Sequence, residues 1–375
     1  MADQRITLRH ELTQAKSPLP SIKRSYPLYN TQNKEWPKLR NFAIWDEFNL
    51  NTLNDSYRHI LNLSIPDQLA PRAEEMLSNI TIATPADMLQ LINWNNEVID
   101  GPVQFAKSKL GLQPGFMFRQ RYRTVEESMP VRLFGSTKII VDHIIRINEY
   151  PEKNLVVGIG RLSRLWNVRR LANEIPSPQA GDVWPLRQLA NICRAAKTRY
   201  GYIQTEEDLV VCCFSQSNEQ WRVKLMVIPW TNGGVHTLTT DLALWWLCML
   251  AMSRPEHRAI LSEDEMVGIN EWDIILLDEN QGWVRRHRYS NFEERIPPPP
   301  PPSYYTPSPG NTAALAAGIS AQDLEWEYEI EEDETEEDGN EEDGIEEDET
   351  EEDGNEEDGI EEDETEEDET DASNF

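Results

Sequence analysis

The chain has 375 residues, enough for one large or two modest domains with a substantial apolar core. Its formal charge of −32 is unevenly placed, because residues 323–375 carry 33 of the 67 acids and none of the 35 basic residues. Residues 1–322 therefore have a net charge of +1, which excludes a uniformly acidic chain and indicates a near-neutral body with a polyanionic tail.

The cysteine pattern and the apolar runs limit the cellular setting. Four cysteines lie in apolar runs without a C-x-x-C pair, which favours reduced, buried thiols over a zinc site or a disulfide framework. The first residues lack the apolar stretch of a secretory signal, and the longest apolar run, residues 242–252, is too short to span a bilayer. We therefore expect an intracellular protein, nuclear or cytoplasmic, that does not associate with membranes.

Composition divides the chain into four segments. Residues 1–40 are polar with scattered prolines and are expected to form a loose N-terminal arm. Residues 41–295 carry the globular pattern, and residues 296–322 form a proline-rich linker. Residues 323–375 repeat an acidic unit with a period of 15 residues, which cannot bury a core and predicts a disordered acidic C-terminal tail.

The first elements of the globular segment are helical. A helical region is predicted over residues 46–110, and its best-marked helix begins after Thr84, with Pro85 at the first helical position and Asp87 three residues after the cap. The Gly101-Pro102 pair is expected to end this helix.

Strands and helices then alternate along the chain. Runs of β-branched residues predict strands, and apolar residues at helical spacing predict a helix for which Asp182 is a plausible N-cap. The resulting order of helix, strands, helix, strands and helix favours a mixed α/β sheet covered by helices. The elements after residue 110 are strands at 137–147 and 154–160, the helix after Asp182, strands at 208–214 and 222–230, and a buried helix at 239–253.

The stretch LVVGIGRLSRLW, residues 155–166, has two interpretations. Its two glycines could cradle a phosphate, but a dinucleotide loop needs a third small residue that opens a helix, where this chain has Ser163. Alternatively, metal-dependent nucleases place an Asp on one strand and, on the next, an acid with a Lys two positions later on the same strand face. Asp142 fits the first position, whereas Ile159 and Arg161 stand where the acid and the lysine are expected.

Several segments together resemble a group of filamentous-fungal proteins with a PD-(D/E)XK nuclease-like core. The resemblance covers about residues 90–255, is strongest in TRYGYIQTEEDLVV, and implies a central mixed sheet flanked by helices. Members of the group typically carry GD or GE, one residue, then K, where this chain has GIGR at 158–161. The other resembling segments are VDHIIRIN, LVVGIGRLSRLW, WPLRQLANICRAAK, VKLMVIPW and LTTDLALWWLCMLAMS.

These departures from the family pattern affect catalysis. Ile159 offers no lone pair to a hard cation that prefers oxygen ligands, and Arg161 stays protonated, so it can bind phosphate but cannot accept a proton from water. The resemblance therefore implies a catalytically degenerate protein that retains a phosphate or nucleic-acid-binding groove. In the alternative, an active Mg²⁺-dependent DNA endonuclease recruits another acid, Glu97 or Glu149, beside Asp142.

The candidate catalytic set is Asp142, Arg161, Glu97 and Gln188, with Asp142 and Glu97 as the metal ligands. In nucleases of this class a helix before the strands often offers a glutamate, although by periodicity alone Glu97 belongs to a solvated helix face. Any nuclease-derived interpretation requires Asp142, Arg161 and Glu97 to converge within a few ångströms.

Three arginines are candidates for nucleic-acid contacts. Arg164 follows the degenerate motif, and Arg187 and Arg194 share one face of the predicted helix after Asp182, where they could follow phosphates. An exposed polar face is the more common explanation for such a pattern.

A third hypothesis is a non-enzymatic interaction protein. Pro301, Pro302 and Tyr304 fit the Pro-Pro-x-Tyr ligand of WW domains, which dock a preformed polyproline II segment. The acidic tail has three interpretations: an inert solubilising segment, a binder of basic proteins such as histones, or a nucleic-acid mimic that competes for a basic groove on the body.

Overall fold

A computed structural model describes residues 6–22, 32–65, 67–111, 117–122, 131–132, 140–148, 153–277 and 282–297. The predicted WW ligand at Pro301, Pro302 and Tyr304, the acidic tail and the alternative metal ligand Glu149 lie outside the described residues.

The strands in chain order are β1 (Leu39–Ile44), β2 (Met117–Tyr122), β3 (Val131–Arg132), β4 (Ile140–Val141), β5 (His143–Asn148), β6 (Lys153–Gly160), β7 (Tyr200–Gln204), β8 (Asp208–Ser217), β9 (Gln220–Pro229), β10 (Trp272–Leu276), β11 (Trp283–His287) and β12 (Glu293–Ile296). The helices are α1 (Leu8–Leu12), α2 (Leu50–Leu61), α3 (Ala73–Leu77), α4 (Met88–Lys109), α5 (Val168–Glu174), α6 (Trp184–Ala196), α7 (Thr240–Ser253) and α8 (Pro255–Arg258).

Seven strands form the central sheet, in the order β1-β9-β8-β7-β6-β5-β2. The pairs β1–β9 and β6–β7 are parallel, and the other neighbours are antiparallel. A parallel pair needs a crossover connection, which α5 and α6 supply between β6 and β7. The predicted mixed α/β sheet flanked by helices is confirmed, and β7 is a strand that the sequence patterns did not reveal.

Helices cover both faces of this sheet. Apolar residues of α4 and α7 belong to one buried cluster, and those of α6 belong to a second cluster with residues of β6, β7 and β8. Helix α7 is buried nearly throughout, as its all-round apolar sequence predicts, and both of its tryptophans lie in the core. In the described part of the chain, none of the helices combines the length and the apolar character needed to cross a membrane.

The predicted end of α4 at Gly101-Pro102 is wrong, because the helix continues to Lys109. Gly101 lies against the backbone of the loop before α3, where an added Cβ would come within 2.2 Å of the Leu69 carbonyl oxygen. The Pro102 carbonyl accepts a hydrogen bond of 3.3 Å from the Trp245 indole. Tertiary contacts therefore favour two residues that usually end a helix.

The start of α6 also differs from the prediction. Val183, not Asp182, precedes the helix as its N-cap residue. Asp182 lies in a short 3-10 turn instead, and both of its carboxylate oxygens accept hydrogen bonds from Arg170. An ion pair with a neighbouring helix thus replaces the predicted capping bond.

Residues 6–22 pack against the core, in contrast to the loose arm predicted over residues 1–40. Leu8 and Leu12 of α1 are fully buried against the cluster around α7. The Lys16 ammonium donates to the Asp241 carboxylate at 2.5 Å and to the Thr240 hydroxyl, and it lies 4.2 Å from the centre of the Trp230 ring. The polar composition of this segment predicts a loose arm because it does not distinguish the apolar face of α1, or the buried Lys16, from exposed residues.

Replacing Lys16 with Met should destabilise the protein by about 3–5 kcal/mol, because the Asp241 carboxylate would remain buried without its cation. Adding Asp241→Asn should recover much of that loss, since a neutral amide costs less to bury. Urea unfolding measures both effects, with Lys34→Met as the exposed control. A Lys16→Met loss below about 1 kcal/mol would show that the ion pair does not anchor the segment.

Candidate functional site

Asp142 lies at the point where β5 separates from β6. It is the residue between β4 and β5, and the first pairing of β5 with β6 joins His143 to Gly158. The Gly160 amide lies beyond that pairing, and it donates to the Asp142 carboxylate at 2.9 Å. The Asp142 side chain thus takes the place of a β5 carbonyl as the hydrogen-bond acceptor for the Gly160 amide.

Arg161 follows the last residue of β6 and turns toward α6. Its backbone amide donates to the Gln204 carbonyl of β7 at 2.9 Å. Its guanidinium donates to the Gly160 carbonyl at 2.5 Å and to the side-chain oxygen of Gln188 in α6. Burial lowers the pKa of Arg161, and the negative charge of nearby Asp142 opposes that shift. The structure therefore brings together three of the four predicted catalytic residues: Asp142, Arg161 and Gln188.

Ile159 occupies the place where the nuclease pattern expects an acid. Its side chain is 1% exposed and packs in the same apolar cluster as Leu186 and Leu189 of α6. Residues 159 and 161 project to one face of the strand, as their spacing of two predicts. The position of the missing acid is therefore filled by core packing.

The two glycines of this strand serve close packing on its other face. A Cβ on Gly158 would lie 2.3 Å from the Tyr202 ring, and one on Gly160 would lie 2.9 Å from the Cβ of Met88 in α4. Both glycines are within β6 itself, and no helix opens directly after them. The alternative of a phosphate-cradling turn is therefore wrong.

Glu97 does not join this site. Met88 and Asn95 of α4 face the sheet, since Met88 meets Gly160 and the Asn95 amide donates to Gln204 at 3.2 Å. Glu97 is nine residues after Met88, which is about half a turn away around the helix. Its carboxylate is exposed and accepts from Asn96. The predicted convergence of Glu97 with Asp142 and Arg161 is therefore wrong, and with it the assignment of Glu97 as a metal ligand.

The described residues do not fit a Mg²⁺ ion. Mg²⁺ requires oxygen ligands in a nearly octahedral arrangement. Of Asp142, Arg161 and Gln188, only Asp142 has a carboxylate, which lies close to the Arg161 guanidinium, and the Gln188 oxygen already accepts a hydrogen bond from Arg161. Among the residues that the structure describes, no group of three or more His, Cys, Asp or Glu side chains could hold a metal ion.

The three candidate nucleic-acid-binding arginines have different surroundings. Arg164 lies between β6 and α5, outside the helix that carries the other two arginines, and donates to the Ala83 carbonyl at 3.2 Å. Arg187 and Arg194 lie seven residues apart on α6, hence on one stripe of the helix. Arg187 donates to the carbonyls of Pro37 and Trp36 at 3.0 and 2.6 Å, whereas Arg194 is exposed and donates to Asn191.

The contacts of Arg187 join α6 to residues 36 and 37, which lie in the segment predicted to form the N-terminal arm. The Arg187 guanidinium lies 4.2 Å from the centre of the Trp184 ring, and the Trp36 and Trp184 rings meet edge to face at 6.4 Å. Both tryptophans are partly exposed. The basic α6 face is defined here as Lys34, Trp36, Lys38, Trp184, Arg187 and Arg194.

No local pattern predicts that residues 34–38 lie beside α6, because about 150 residues separate the two segments. The buried hydrogen-bond network of Asn95, Tyr202 and Gln204 was not predicted either, since single polar residues inside apolar runs carry no pattern that shows they are in contact. No family model, curated protein or solved structure shows significant similarity to this chain.

Replacing Ile159 with Asp and Arg161 with Lys should create divalent-metal binding at the cost of stability without metal. The new carboxylate would be buried beside Asp142, so a bound cation should restore stability, by about 2.7 kcal/mol at a metal concentration 100 times the Kd. Thermal unfolding in EDTA and in Mn²⁺ measures this recovery.

Val157→Asp is the matched control, because Val157 is also fully buried on the α6 face of β6 but lies further from Asp142. It should lose stability in both solutions. The absence of Mn²⁺-dependent recovery in the double variant, or an equal recovery in Val157→Asp, would mean that the junction around Asp142 is not a former metal site.

Proposed function

We propose that this protein is a catalytically degenerate PD-(D/E)XK nuclease-like protein that binds nucleic-acid phosphates without hydrolysing them. The observation that carries the proposal is the meeting of Asp142 and Arg161 at the shared end of β5 and β6, with Ile159 in the acid's position. Asp142 and its place between neighbouring strands support the proposal, whereas Ile159 and Arg161 depart from the nuclease pattern in residue type. Because Glu97 does not converge with Asp142 and Arg161, the proposal is limited to a degenerate site in which Glu97 has no role.

The active-nuclease alternative has little support. It requires a second acid beside Asp142, and Glu97 projects from the opposite side of α4. Arginine at position 161 would also repel a cation and cannot serve as a general base. Glu149, the other acid considered, lies outside the described residues, as do the proline motif and acidic tail of the interaction-protein alternative.

The basic α6 face favours phosphate binding over a purely structural role. Helix α6 and the residue after it, 184–197, contain three basic residues and no acid. Lys34, Lys38 and Arg194 are exposed, as is the one acid of residues 34–38, Glu35. The rings of Trp36 and Trp184 are partly exposed and contact each other. Exposed cations interleaved with aromatic rings suit the phosphates and bases of a nucleic-acid strand.

Arg194→Glu should weaken binding to a fluorescent single- or double-stranded oligonucleotide by about 5- to 10-fold at 50 mM salt, and it should reduce the salt slope by about one contact. Fluorescence anisotropy in EDTA, with the full chain at 50 and 200 mM KCl, measures both quantities. EDTA separates binding from any metal-dependent cleavage.

Lys109→Glu is the control, since it makes the same charge change at the exposed end of α4, in the layer on the other side of the sheet. It should change the Kd less than twofold, so that the effect is specific to α6. Equal losses in both variants, or no salt-dependent binding by the unmodified chain, would refute nucleic-acid binding at the basic α6 face.

A further inference from the structure

Strand β10 exposes large apolar side chains. Ile274 is 58% exposed and Leu276 is 50% exposed, and Leu277 just after the strand is 39% exposed. These are three of the five large hydrophobic residues that are exposed in the described part of the chain. Their grouping on and just after one short strand makes this edge a candidate contact surface.

β10 is an outer strand of the three-stranded antiparallel sheet β10-β11-β12. The Leu277 amide donates to the Gly282 carbonyl, and the Arg288 amide donates to the Glu271 carbonyl. The backbone N–H and C=O groups of the odd-numbered residues of β10 therefore point toward β11. Because bonded and non-bonded pairs alternate in an antiparallel ladder, the backbone groups of Trp272, Ile274 and Leu276 point to the outer edge. Within the described residues, β11 is the one strand that pairs with β10.

This edge lacks the features that normally protect an outer strand from pairing. It contains no lysine and no proline, and its register with β11 is unbroken by a bulge. Its single charge, Asp273, accepts a hydrogen bond of 2.8 Å from Arg288 and is thereby compensated. The edge therefore presents free backbone groups and apolar side chains without a charge that would repel another strand.

The pattern of β10 is complementary to itself. In an antiparallel pair centred on Ile274, the residue opposite Ile274 is the same residue of the other copy, and Trp272 lies opposite Leu276. All three outward-pointing residues then form hydrogen-bonded pairs, with about six backbone hydrogen bonds in total. Each Asp273 would lie across from an isoleucine, Ile275, and keep its own Arg288.

We propose that β10 pairs with β10 of a second copy of this chain about a two-fold axis at Ile274, joining two three-stranded sheets into one of six strands. The side chains on the shared face extend the contact. Leu276 neighbours Trp283 of β11, so Trp272 of the second copy would complete an apolar cluster with both. This dimer goes beyond the proposed phosphate binding and does not depend on it.

Sedimentation velocity of the full chain tests the dimer, at concentrations from about 1 to 200 µM and in about 0.3 M salt, which shortens the range of repulsion between the acidic chains. The unmodified chain should dimerise as its concentration rises, and Ile274→Lys should remain monomeric. Ile22→Lys is the matched control, because Ile22 is 52% exposed and lies outside this sheet. A monomeric unmodified chain, or an Ile274→Lys variant that dimerises normally, would overturn the proposal.

Cysteine crosslinking tests the register. Residues opposite each other in a bonded antiparallel pair have Cα atoms about 5.5 Å apart, within reach of a disulfide. Ile274→Cys should therefore form a disulfide dimer under mild oxidation, with the four native thiols buried.

Leu276→Cys should not crosslink, because its counterpart would lie four residues along the strand, about 14 Å away. The two positions are similarly exposed, so exposure alone does not separate them. Stronger crosslinking at position 276 than at 274, or none at either, would contradict self-pairing about Ile274.

Discussion

The hydrogen bond from the Gly160 amide to the Asp142 carboxylate links β6 to the start of β5 at the end of the central sheet where these two strands part. Beyond this bond β6 leaves β5, and the next amide, that of Arg161, pairs with β7 instead. A carboxylate that accepts a buried backbone donor is costly to remove, because the donor would then be left without a partner. Asp142 therefore has a structural role at this junction whether or not it ever held a metal.

Arg161 supplies a positive charge close to Asp142 at this junction. Its guanidinium is partly buried, bound to Gly160 and Gln188 and close to Asp142. A nearby opposite charge favours the ionised form of a partly buried carboxylate, and the guanidinium is such a charge. Position 159 carries an isoleucine, which adds no further negative charge at this junction.

Much of the fold could be predicted because its main elements have local signals. The β5–β6 hairpin, β8, β9 and the buried helix α7 follow from β-branched runs and apolar periodicity. The failures involve contacts between distant residues. Gly101 and Pro102 continue a helix because of Leu69 and Trp245, and the polar N-terminal segment is held by a lysine whose partner, Asp241, is 225 residues away.

In the candidate site, too, the features with local sequence patterns could be predicted and the contacts between distant residues could not. The strand pattern predicted Asp142 and Arg161 on neighbouring strands, and the structure places Arg161 close to Asp142 and in contact with Gln188. The orientation of Glu97 depends on which side of α4 meets the sheet, and periodicity alone had assigned it to the solvated side. The pairing of α6 with residues 34–38 rests on carbonyl contacts to Arg187, which no sequence pattern encodes.

Cleavage of plasmid and single-stranded DNA in Mg²⁺ or Mn²⁺ tests the central claim most directly, with the unmodified chain compared with Asp142→Ala. A degenerate site predicts no cleavage above the level of the Asp142→Ala protein, with either metal. Cleavage that requires the divalent ion and disappears in Asp142→Ala would contradict the account and establish an active metal-dependent nuclease.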